Sequence, residues 1–473
     1  MLRLAWYGDD FTGASDTLAN VAAAGLRTLL FTRVPTAAQL ARAGPLEALG
    51  IAGTARALAP PAMQEELAPV AAWLATLDVP VTHYKCCSTF DSAPKVGNLA
   101  VGVHALLRPE HQAWVPVLGG QPSLGRYCAF ANLFASATAG GPVHRIDRHP
   151  TMSRHPVTPM HEADLRRHLS GLGWAEVAHI DLRQLEDLAD PDFDRALDRA
   201  LGTPLGTPLG TTLDTAFDAA RDRHAAAHGA AQGAGAARAP GSSTPPRAVL
   251  FDTTTPAHLS RIGRVLWSRA RQRPLLALGA SSVAQALIAQ WQSEGLAAPP
   301  VVRAAPADGP VFVLAGSLSP VSATQVAEAA RHYETVELHV PGLLAGGAYA
   351  EGLVADCAAR LRAGRHVLAR TSRPAGEDAP PLDVAQACGR VLAGVLSRAP
   401  QVRRIGVAGG DTSSFALRAL DPWALQWCAP LAPGIGLLRL RADASALDGL
   451  ELILKGGQIG PPDLFERLLS GAR

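Results

Sequence analysis

The sequence is poor in several features that mark specialised protein classes. Only six of its 473 residues are cysteine, and aromatic residues make up 5% of the chain. The cysteines form no C-x-x-C pair, which argues against a zinc knuckle or a redox motif. The scarcity of aromatic residues argues against stacking on nucleic acid. With 43 basic and 41 acidic residues the formal net charge is +2, so the charge balance does not indicate binding to nucleic acid or to a membrane surface.

The sequence also lacks the segments that direct a chain to a membrane. No apolar run of 18 residues without charge occurs, so no spanning helix is expected. Asp9 and Asp10 fall where a signal peptide needs its apolar core. We therefore expect a cytoplasmic protein with free thiols, and its length favours two domains.

The chain is organised around its first stretch. An apolar run over Leu4–Gly8 meets Asp9 and Asp10, and a Thr-Gly pair and a helical pattern follow. A second apolar run over residues 25–32 completes a βαβ pattern, which is typical of parallel sheets. Ligands of such sheets bind just beyond the carboxyl ends of strands, so the two carboxylates predict a site for a polyol, or for a metal beside one. Ordinary helix capping is the alternative.

A second polar stretch, KCCSTFDSAPKVGN over residues 85–98, follows another predicted strand. Its hydroxyls, carboxylate and lysines suit a small hydroxylated anion, since lysine binds carboxylates and aspartate accepts from hydroxyls. A polar helix-capping loop is the alternative. Residues 148–160, RHPTMSRHPVTPM, form a proline-stiffened loop that predicts an anion clamp or lid, and we assign Arg148 to acid binding. The alternative for this loop is that its polar residues only form solvent-exposed surface.

The remaining chain divides by composition. Residues 201–247 contain a tandem repeat and an Ala/Gly-rich stretch, which predict a flexible insertion. Residues 294–309 resemble a linker. Beyond them, three predicted strands end in Gly/Ser-rich turns at 316–319, 409–413 and 456–460, a set that indicates nucleotide binding. Neither a Walker A loop nor a G-x-G-x-x-G after the first strand is present, and the latter argues against a dehydrogenase.

Together these motifs resemble the four-carbon acid sugar kinases. The resemblance is carried by GDDFTGASD (8–16), KCCSTFDSAPKVGN (85–98), RHPTMSRHPVTPM (148–160), GSLS (316–319), GGDTS (409–413) and LKGGQIG (454–460). It implies an ATP- and Mg²⁺-dependent kinase that phosphorylates the terminal hydroxyl of a small sugar acid. We expect an α/β fold of two domains with mainly parallel sheets flanked by helices, an acid-binding domain (1–300), a nucleotide-binding domain (301–473) and an active site in the cleft between them.

The resemblance also implies roles for individual residues. The acid-binding residues would be Asp9, Asp10, Ser88, Asp91 and Asn98. The ATP-binding residues would be Ser317, Ser319, Gly409, Gly410, Asp411, Thr412 and Gly457. Asp411 would hold the metal, with helix capping as its alternative, and Asp10 or Asp91 would be the catalytic base, with Asp10 favoured.

The sequence departs from the family pattern in places. It has Gly456, Gly457 and Gln458 where the family's final turn reads Ser-Gly-Asn, and it carries one extra residue at 95–97. These features resemble kinases of 3-oxo-isoapionate as much as kinases of 3-oxo-tetronate, and the substrate stays open between them. A sugar-acid sensor without phosphotransfer is the rival function. No nucleic-acid or membrane partner is expected, and a homo-oligomer is left open.

Overall fold

The structure is a computed structural model of the whole chain. It describes residues 1–137, 140–155, 157–174, 176–202, 247–372, 379–457 and 459–471. Most of the predicted insertion at 201–247, and Gln458 of the last turn, lie outside the described residues. No helix among the described residues is long and apolar enough to cross a membrane.

The strands in chain order are β1 (Leu4–Gly8), β2 (Thr28–Phe31), β3 (Ala48–Ala52), β4 (Val81–Lys85), β5 (Trp114–Leu118), β6 (Gly120–Gln121), β7 (Arg126–Ala129), β8 (Asn132–Ser136), β9 (Val143–Arg145), β10 (Val177–Ile180), β11 (Arg247–Phe251), β12 (Leu275–Gly279), β13 (Val311–Ala315), β14 (Glu334–His339), β15 (Val367–Ser372), β16 (Arg404–Ala408), β17 (Ala424–Ala432), β18 (Ile435–Arg441) and β19 (Glu451–Lys455).

The helices are α1 (Phe11–Ala23), α2 (Ala37–Ala43), α3 (Pro60–Leu74), α4 (Leu99–Leu106), α5 (Leu165–Gly171), α6 (Leu182–Asp187), α7 (Asp190–Ala200), α8 (Pro256–Ala270), α9 (Ser282–Ser293), α10 (Pro320–Ala329), α11 (Val340–Ala345), α12 (Gly347–Arg362), α13 (Pro381–Arg398), α14 (Gly410–Leu420) and α15 (Leu464–Ser470).

By its contacts the chain divides into two compact units. The terminal unit holds Met1–Leu2, Trp6–Gly53 and Gly295–Arg473, and the central unit holds Arg3–Ala5 and Thr54–Glu294. This grouping joins residues 6–53 to the carboxyl-terminal part of the chain, whereas the predicted acid-binding domain covers residues 1–300. The physical reason is pairing: β2 bonds antiparallel to β17, which ties the first βαβ segment to the carboxyl-terminal part of the chain. The boundary at 300 stays a prediction, as does the expected cleft.

The central unit contains a parallel sheet with the strand order β10-β11-β5-β12-β4. Its strands are nearly continuous runs of buried residues, as expected for a sheet covered on both faces. A separate antiparallel sheet, β6-β7-β8-β9, belongs to the same unit. The sequence predicted only one small element near residues 130–134, because strands this short carry little alternating pattern.

The terminal unit contains a mixed sheet with the order β3-β2-β17-β18-β19-β16-β13-β15-β14. Strands β19, β16, β13, β15 and β14 are parallel, and the antiparallel hairpin β17–β18 joins them to β2 and β3. Apolar residues of the parallel strands and of α15 form a buried cluster, including Val313, Leu368 and Leu468. The predicted α/β class with mainly parallel sheets is confirmed, while the hairpin was not predicted.

Candidate functional site

Three turns of the terminal unit lie side by side, after β13, β16 and β19. These strands are parallel neighbours whose last residues are in register. The N–H groups of Gly316 and Ser317 donate to the carbonyl of Ala408 at 3.0 and 3.1 Å, and that of Gly409 donates to the carbonyl of Lys455 at 2.9 Å. The backbone itself therefore joins the three Gly/Ser-rich turns that the sequence singled out.

Close approach of these turns depends on glycine. A Cβ at Gly316 would lie 2.2 Å from Oγ1 of Thr412, and one at Gly457 would lie 2.7 Å from Oγ of Ser317. Gly409 has φ +126°, a conformation that L side chains rarely adopt. The turns thus expose main chain where other residues would place side chains, as a phosphate-binding surface requires.

Helix α14 begins at this surface. Its N-cap is Gly409, which provides no side-chain cap, so the N–H groups of the first turn lack a capping partner from that residue. Such a helix end attracts anions through its N–H groups and its dipole. Gly410 and Asp411 are exposed there, and Thr412 is buried. Asp411 therefore does not occupy the capping position that was its alternative role.

The family resemblance implies a magnesium ion, and the position of the Asp411 carboxylate is compatible with one. No group of three or more His, Cys, Asp or Glu side chains among the described residues is placed to hold a metal. Mg²⁺ in nucleotide sites usually takes one or two protein carboxylates and the substrate's phosphates. The exposed carboxylate of Asp411, at a helix end suited to phosphate, matches that pattern.

A buried polar network holds the turn after β19 against the start of α10. Oγ of Ser319 accepts from the N–H of Ser322 at 3.1 Å and donates to the carbonyl of Gly457. Nζ of Lys455 donates to Oγ of Ser322 at 2.8 Å and to Oε1 of Gln325 at 2.7 Å. The motif LKGGQIG includes Lys455, but sequence reasoning assigned this residue no role, because its partners are far away in sequence.

The structure thus places the predicted nucleotide residues on three adjoining turns of one unit. They are Ser317, Ser319, Gly409, Gly410, Asp411, Thr412 and Gly457. Their contact with a nucleotide stays a prediction.

The amino-terminal turn has a different position in the terminal unit. Asp9 is buried, and Asp10 is the N-cap of α1, where its carboxylate accepts from the N–H of Gly13. The N–H of Gly53 donates to the carbonyl of Gly8 at 2.8 Å, so β1 and β3 end side by side. Because β2 is parallel to β3 and antiparallel to β17, β2 and β3 run opposite to β13, β16 and β19.

In the central unit, the turn after β4 surrounds a buried carboxylate. Oγ1 of Thr89 donates to Asp91 at 2.5 Å, and Sγ of Cys87 lies 2.9 Å from the same hydroxyl. Phe90, between them, has φ +53°, a strained conformation for a residue with a side chain. Strain of this kind is common at functional sites, since the surrounding structure must enforce it.

The proline-stiffened loop contacts this turn. Oγ1 of Thr158 donates to Oδ2 of Asp91 at 3.4 Å, and the N–H of Thr158 donates to Nδ1 of His155 at 3.1 Å. From α5, Nε2 of His168 lies 2.8 Å from Oγ of Ser92, and burial lowers the pKa of this histidine. Sequence reasoning missed Thr158 and His168, because nothing local indicates a contact 67 or 76 residues away.

The other predicted acid-binding residues differ in burial and in hydrogen bonding. Ser88 is buried near the same turn, whereas Arg148 is exposed at the end of a short 3₁₀ turn, Ile146–Arg148. Asn98 is the N-cap of α4, and its Nδ2 donates to the carbonyls of Pro94 and Leu172 at 3.4 and 3.1 Å. The amide of Asn98 therefore has a structural function, and contact with an acid stays a prediction for all three.

Two family models match consecutive parts of the chain. A model of a sugar-binding N-terminal domain matches residues 4–287, and a model of a nucleotide-binding C-terminal domain matches residues 312–465. The chain is 34% identical over 493 residues to the 3-oxo-isoapionate kinase of Paraburkholderia graminis, covering 99% of this chain and 94% of that protein. The chain belongs to the four-carbon acid sugar kinase family. The resemblance drawn from the sequence motifs is confirmed.

Other relatives support the same family over the whole chain. The 3-oxo-tetronate kinase of Methylobacterium radiotolerans is 27% identical over 481 residues, covering 99% of both chains. Among solved structures, a protein of Salmonella typhimurium LT2 gives a TM-score of 0.74 at 21% identity, covering 99% of this chain and 98% of that one. At 21% identity this structural similarity is evidence for the fold only, and it carries no argument about function.

Proposed function

We propose that this protein transfers the γ-phosphate of ATP to the terminal hydroxyl of a small sugar acid, of the 3-oxo-tetronate, tetronate or branched 3-oxo-isoapionate type. The observation that carries the proposal is the convergence of three Gly/Ser turns beside the exposed start of α14. Phosphoryl transfer depends on positioning and charge stabilisation more than on covalent chemistry, and such a surface provides both.

The terminal unit would bind the nucleotide through main-chain groups. Phosphate oxygens would accept from N–H groups at the start of α14, and Gly316, Gly409 and Gly457 leave room for this approach. Asp411 would hold the Mg²⁺ that accompanies the phosphates, which would neutralise charge on the transferred group.

The acid would be recognised by side chains. In the central unit, Asp91 has two hydroxyl donors and is suited to accept further hydrogen bonds from sugar hydroxyls. Ser88 lies in the same turn, and Lys85, buried at the end of β4, has the charge that a carboxylate requires. Asp9 and Asp10 would accept from the remaining hydroxyls.

The proposed base is Asp10. Its carboxylate accepts from Gly13 at the start of α1, and a helix N-terminus stabilises the ionised form that a base needs. In the competing assignment Asp91 is the base and Asp10 only positions the acid. We also propose a cytoplasmic location, since the six cysteines, all in described residues, are free thiols.

The proposal is tested by measuring ADP release from Mg-ATP with a panel of tetronates, 3-oxo-tetronates and 3-oxo-isoapionate. We expect turnover with at least one of these acids and none without an acid. If one acid binds tightly, as calorimetry would show, and no acid supports turnover, the protein is a sugar-acid sensor and the proposal is wrong.

A further inference from the structure

Lys455, the last residue of β19, is almost fully buried, with 2% of its surface exposed. Its ammonium donates to Oγ of Ser322 at 2.8 Å, to Oε1 of Gln325 at 2.7 Å and to the carbonyl of Gly457 at 3.4 Å. All three of these acceptors are neutral. A buried cation held by neutral acceptors instead of a carboxylate is costly, so its presence needs a reason beyond packing.

The network around the ammonium fixes one peptide of the last turn. The carbonyl of Gly457 accepts from Lys455, from Oγ of Ser322 at 3.2 Å and from Oγ of Ser319. Nε2 of Gln325 donates to the carbonyls of Ile459 and Pro461, both at 3.1 Å. The ammonium thus links the start of α10 to both sides of the glycine turn, which is one of the three turns of the nucleotide site.

The composition of the chain sets this residue apart. Of the 43 basic residues only three are lysine, at positions 85, 95 and 455, and the other 40 are arginine. A compact ammonium donates in three separate directions, whereas a guanidinium is planar and donates as a fork. Three acceptors on two segments match the ammonium and not the guanidinium.

We propose that Lys455 is a positioning residue for the nucleotide: its ammonium holds the glycine turn after β19 against the start of α10, so that Ser317, Ser319 and Gly457 are in place for the phosphates. The inference rests on the proposed nucleotide site. Lys455 acts through the turn, and its positive charge also favours anions nearby.

Protonation of Lys455 provides a test. Burial lowers its pKa from the ordinary value of 10.5 to about 8. Above that pH a neutral amine has two N–H groups for three acceptors and directs a lone pair at the third, so the turn loosens. The ionisable side chains on the elements around Lys455 are Glu328 on α10, Arg404 on β16, Asp411 and Arg418 on α14, Arg439 and Arg441 on β18, and Glu466 and Arg467 on α15. Burial alone accounts for the lowered pKa of Lys455.

The sign of the pH effect separates this role from a merely structural one. Because the folded-state pKa lies below the unfolded-state pKa, the unfolded chain binds more protons between pH 8 and 10.5, and this lysine makes the protein more stable as pH rises through that window. The affinity for a nucleotide should fall over the same window. Stability and binding therefore change in opposite directions.

The experiment measures the dissociation constant of Mg-ADP by calorimetry from about pH 7 to about pH 9.5, with thermal unfolding as the check on folding. For the wild-type protein we expect the constant to rise about tenfold across this range. For Lys455→Met we expect a dissociation constant about tenfold larger than that of the wild-type protein at pH 7, with little further change as pH rises. Lys455→Arg should also bind Mg-ADP more weakly than the wild-type protein. Its affinity should not change with pH, since the guanidinium stays charged over this range.

A matched pair tests the network without removing the lysine. Ser322→Ala deletes one acceptor and should weaken Mg-ADP binding about threefold, whereas Ser397→Ala, at an exposed position of α13, should not. If Lys455→Met does not fold, the wild-type pH profile and this pair decide.

Two results would overturn the inference while leaving the proposed function intact. One is wild-type affinity for Mg-ADP in Lys455→Met at pH 7, and the other is a wild-type affinity that does not change with pH while the kinase turns over. If the wild-type protein binds neither Mg-ADP nor Mg-ATP, the proposed function itself is wrong, and this inference is wrong with it.

Discussion

The three turns of the terminal unit and the turn after β4 in the central unit both follow parallel strands, but they are built from different groups. The terminal-unit surface consists of main chain, with Gly316, Gly409 and Gly457 where a Cβ would collide or be strained. The turn after β4 consists of side chains, with Asp91 held by Thr89 and Thr158. The difference fits two ligands: a phosphate needs backbone N–H groups, while an acid with several hydroxyls needs individual acceptors and donors.

The largest expected effect distinguishes the two carboxylates proposed as the base. Asp10→Asn should lower kcat about a thousandfold with little change in KM for the acid, because asparagine keeps the helix cap but cannot accept the proton. Asp91→Asn should mainly raise KM for the acid, about tenfold. Steady-state kinetics on both variants decide. Near-normal kcat in Asp10→Asn together with abolished kcat in Asp91→Asn would assign the base to Asp91.

The next effect concerns the nucleotide side. Asp411→Asn should reduce kcat/KM for ATP about a hundredfold, the scale of losing one preorganised electrostatic group, and should leave acid binding unchanged. Asp383→Asn is the matched control, since Asp383 is also exposed in the first turn of a helix, α13. Lower stability with unchanged activity per molecule would show that Asp411 only stabilises its helix.

A smaller effect tests whether main chain forms the nucleotide surface. Gly409→Ala should weaken Mg-ADP binding about tenfold, because Gly409 has φ +126° and a Cβ there would lie 2.9 Å from Oγ1 of Thr412. Gly364→Ala controls for backbone strain, since Gly364 has φ +80° and a Cβ added there would meet nothing within 4 Å. Equal losses of nucleotide affinity in the two variants would contradict the assignment of the nucleotide surface to the main chain around Gly409.

The smallest expected effect tests the side-chain site. Thr158→Val removes one donor to Asp91 and should weaken acid binding about fivefold without changing the affinity for Mg-ADP. Thr76→Val, at an exposed hydroxyl of the same unit, should change neither affinity. Calorimetric titration with the acid and with Mg-ADP checks both variants, and a loss of Mg-ADP affinity in Thr158→Val would argue against separate sites.

The sequence predicted the main-chain site better than the side-chain site. Gly409, Gly410 and Asp411 directly follow a short apolar strand, and parallel strands place their carboxyl ends along one edge, so adjacency followed from local pattern. Thr158 and His168 reach the turn after β4 from other segments, and no local pattern encodes such contacts. The sequence assigned no role to Lys455, because its partners Ser322 and Gln325 are more than a hundred residues away.

For the fold as well, local sequence pattern predicted the elements but not the contacts between distant segments. Parallel strands appeared as apolar runs before glycine, and their positions were predicted within a few residues. The second apolar run covers residues 25–32, whereas β2 is only Thr28–Phe31. The hairpin β17–β18 and its pairing with β2 were not predicted, since pairing partners depend on the tertiary structure.

The central claim is that phosphate passes from ATP to a sugar acid, and phosphorus NMR of a reaction with Mg-ATP and the acid that binds best tests it most directly. We predict that the γ-phosphate signal of ATP is replaced by the signal of a phosphomonoester whose phosphorus couples to the two protons of a terminal CH₂ group. Formation of inorganic phosphate alone, or an unchanged ATP spectrum while the acid is bound, would contradict the account.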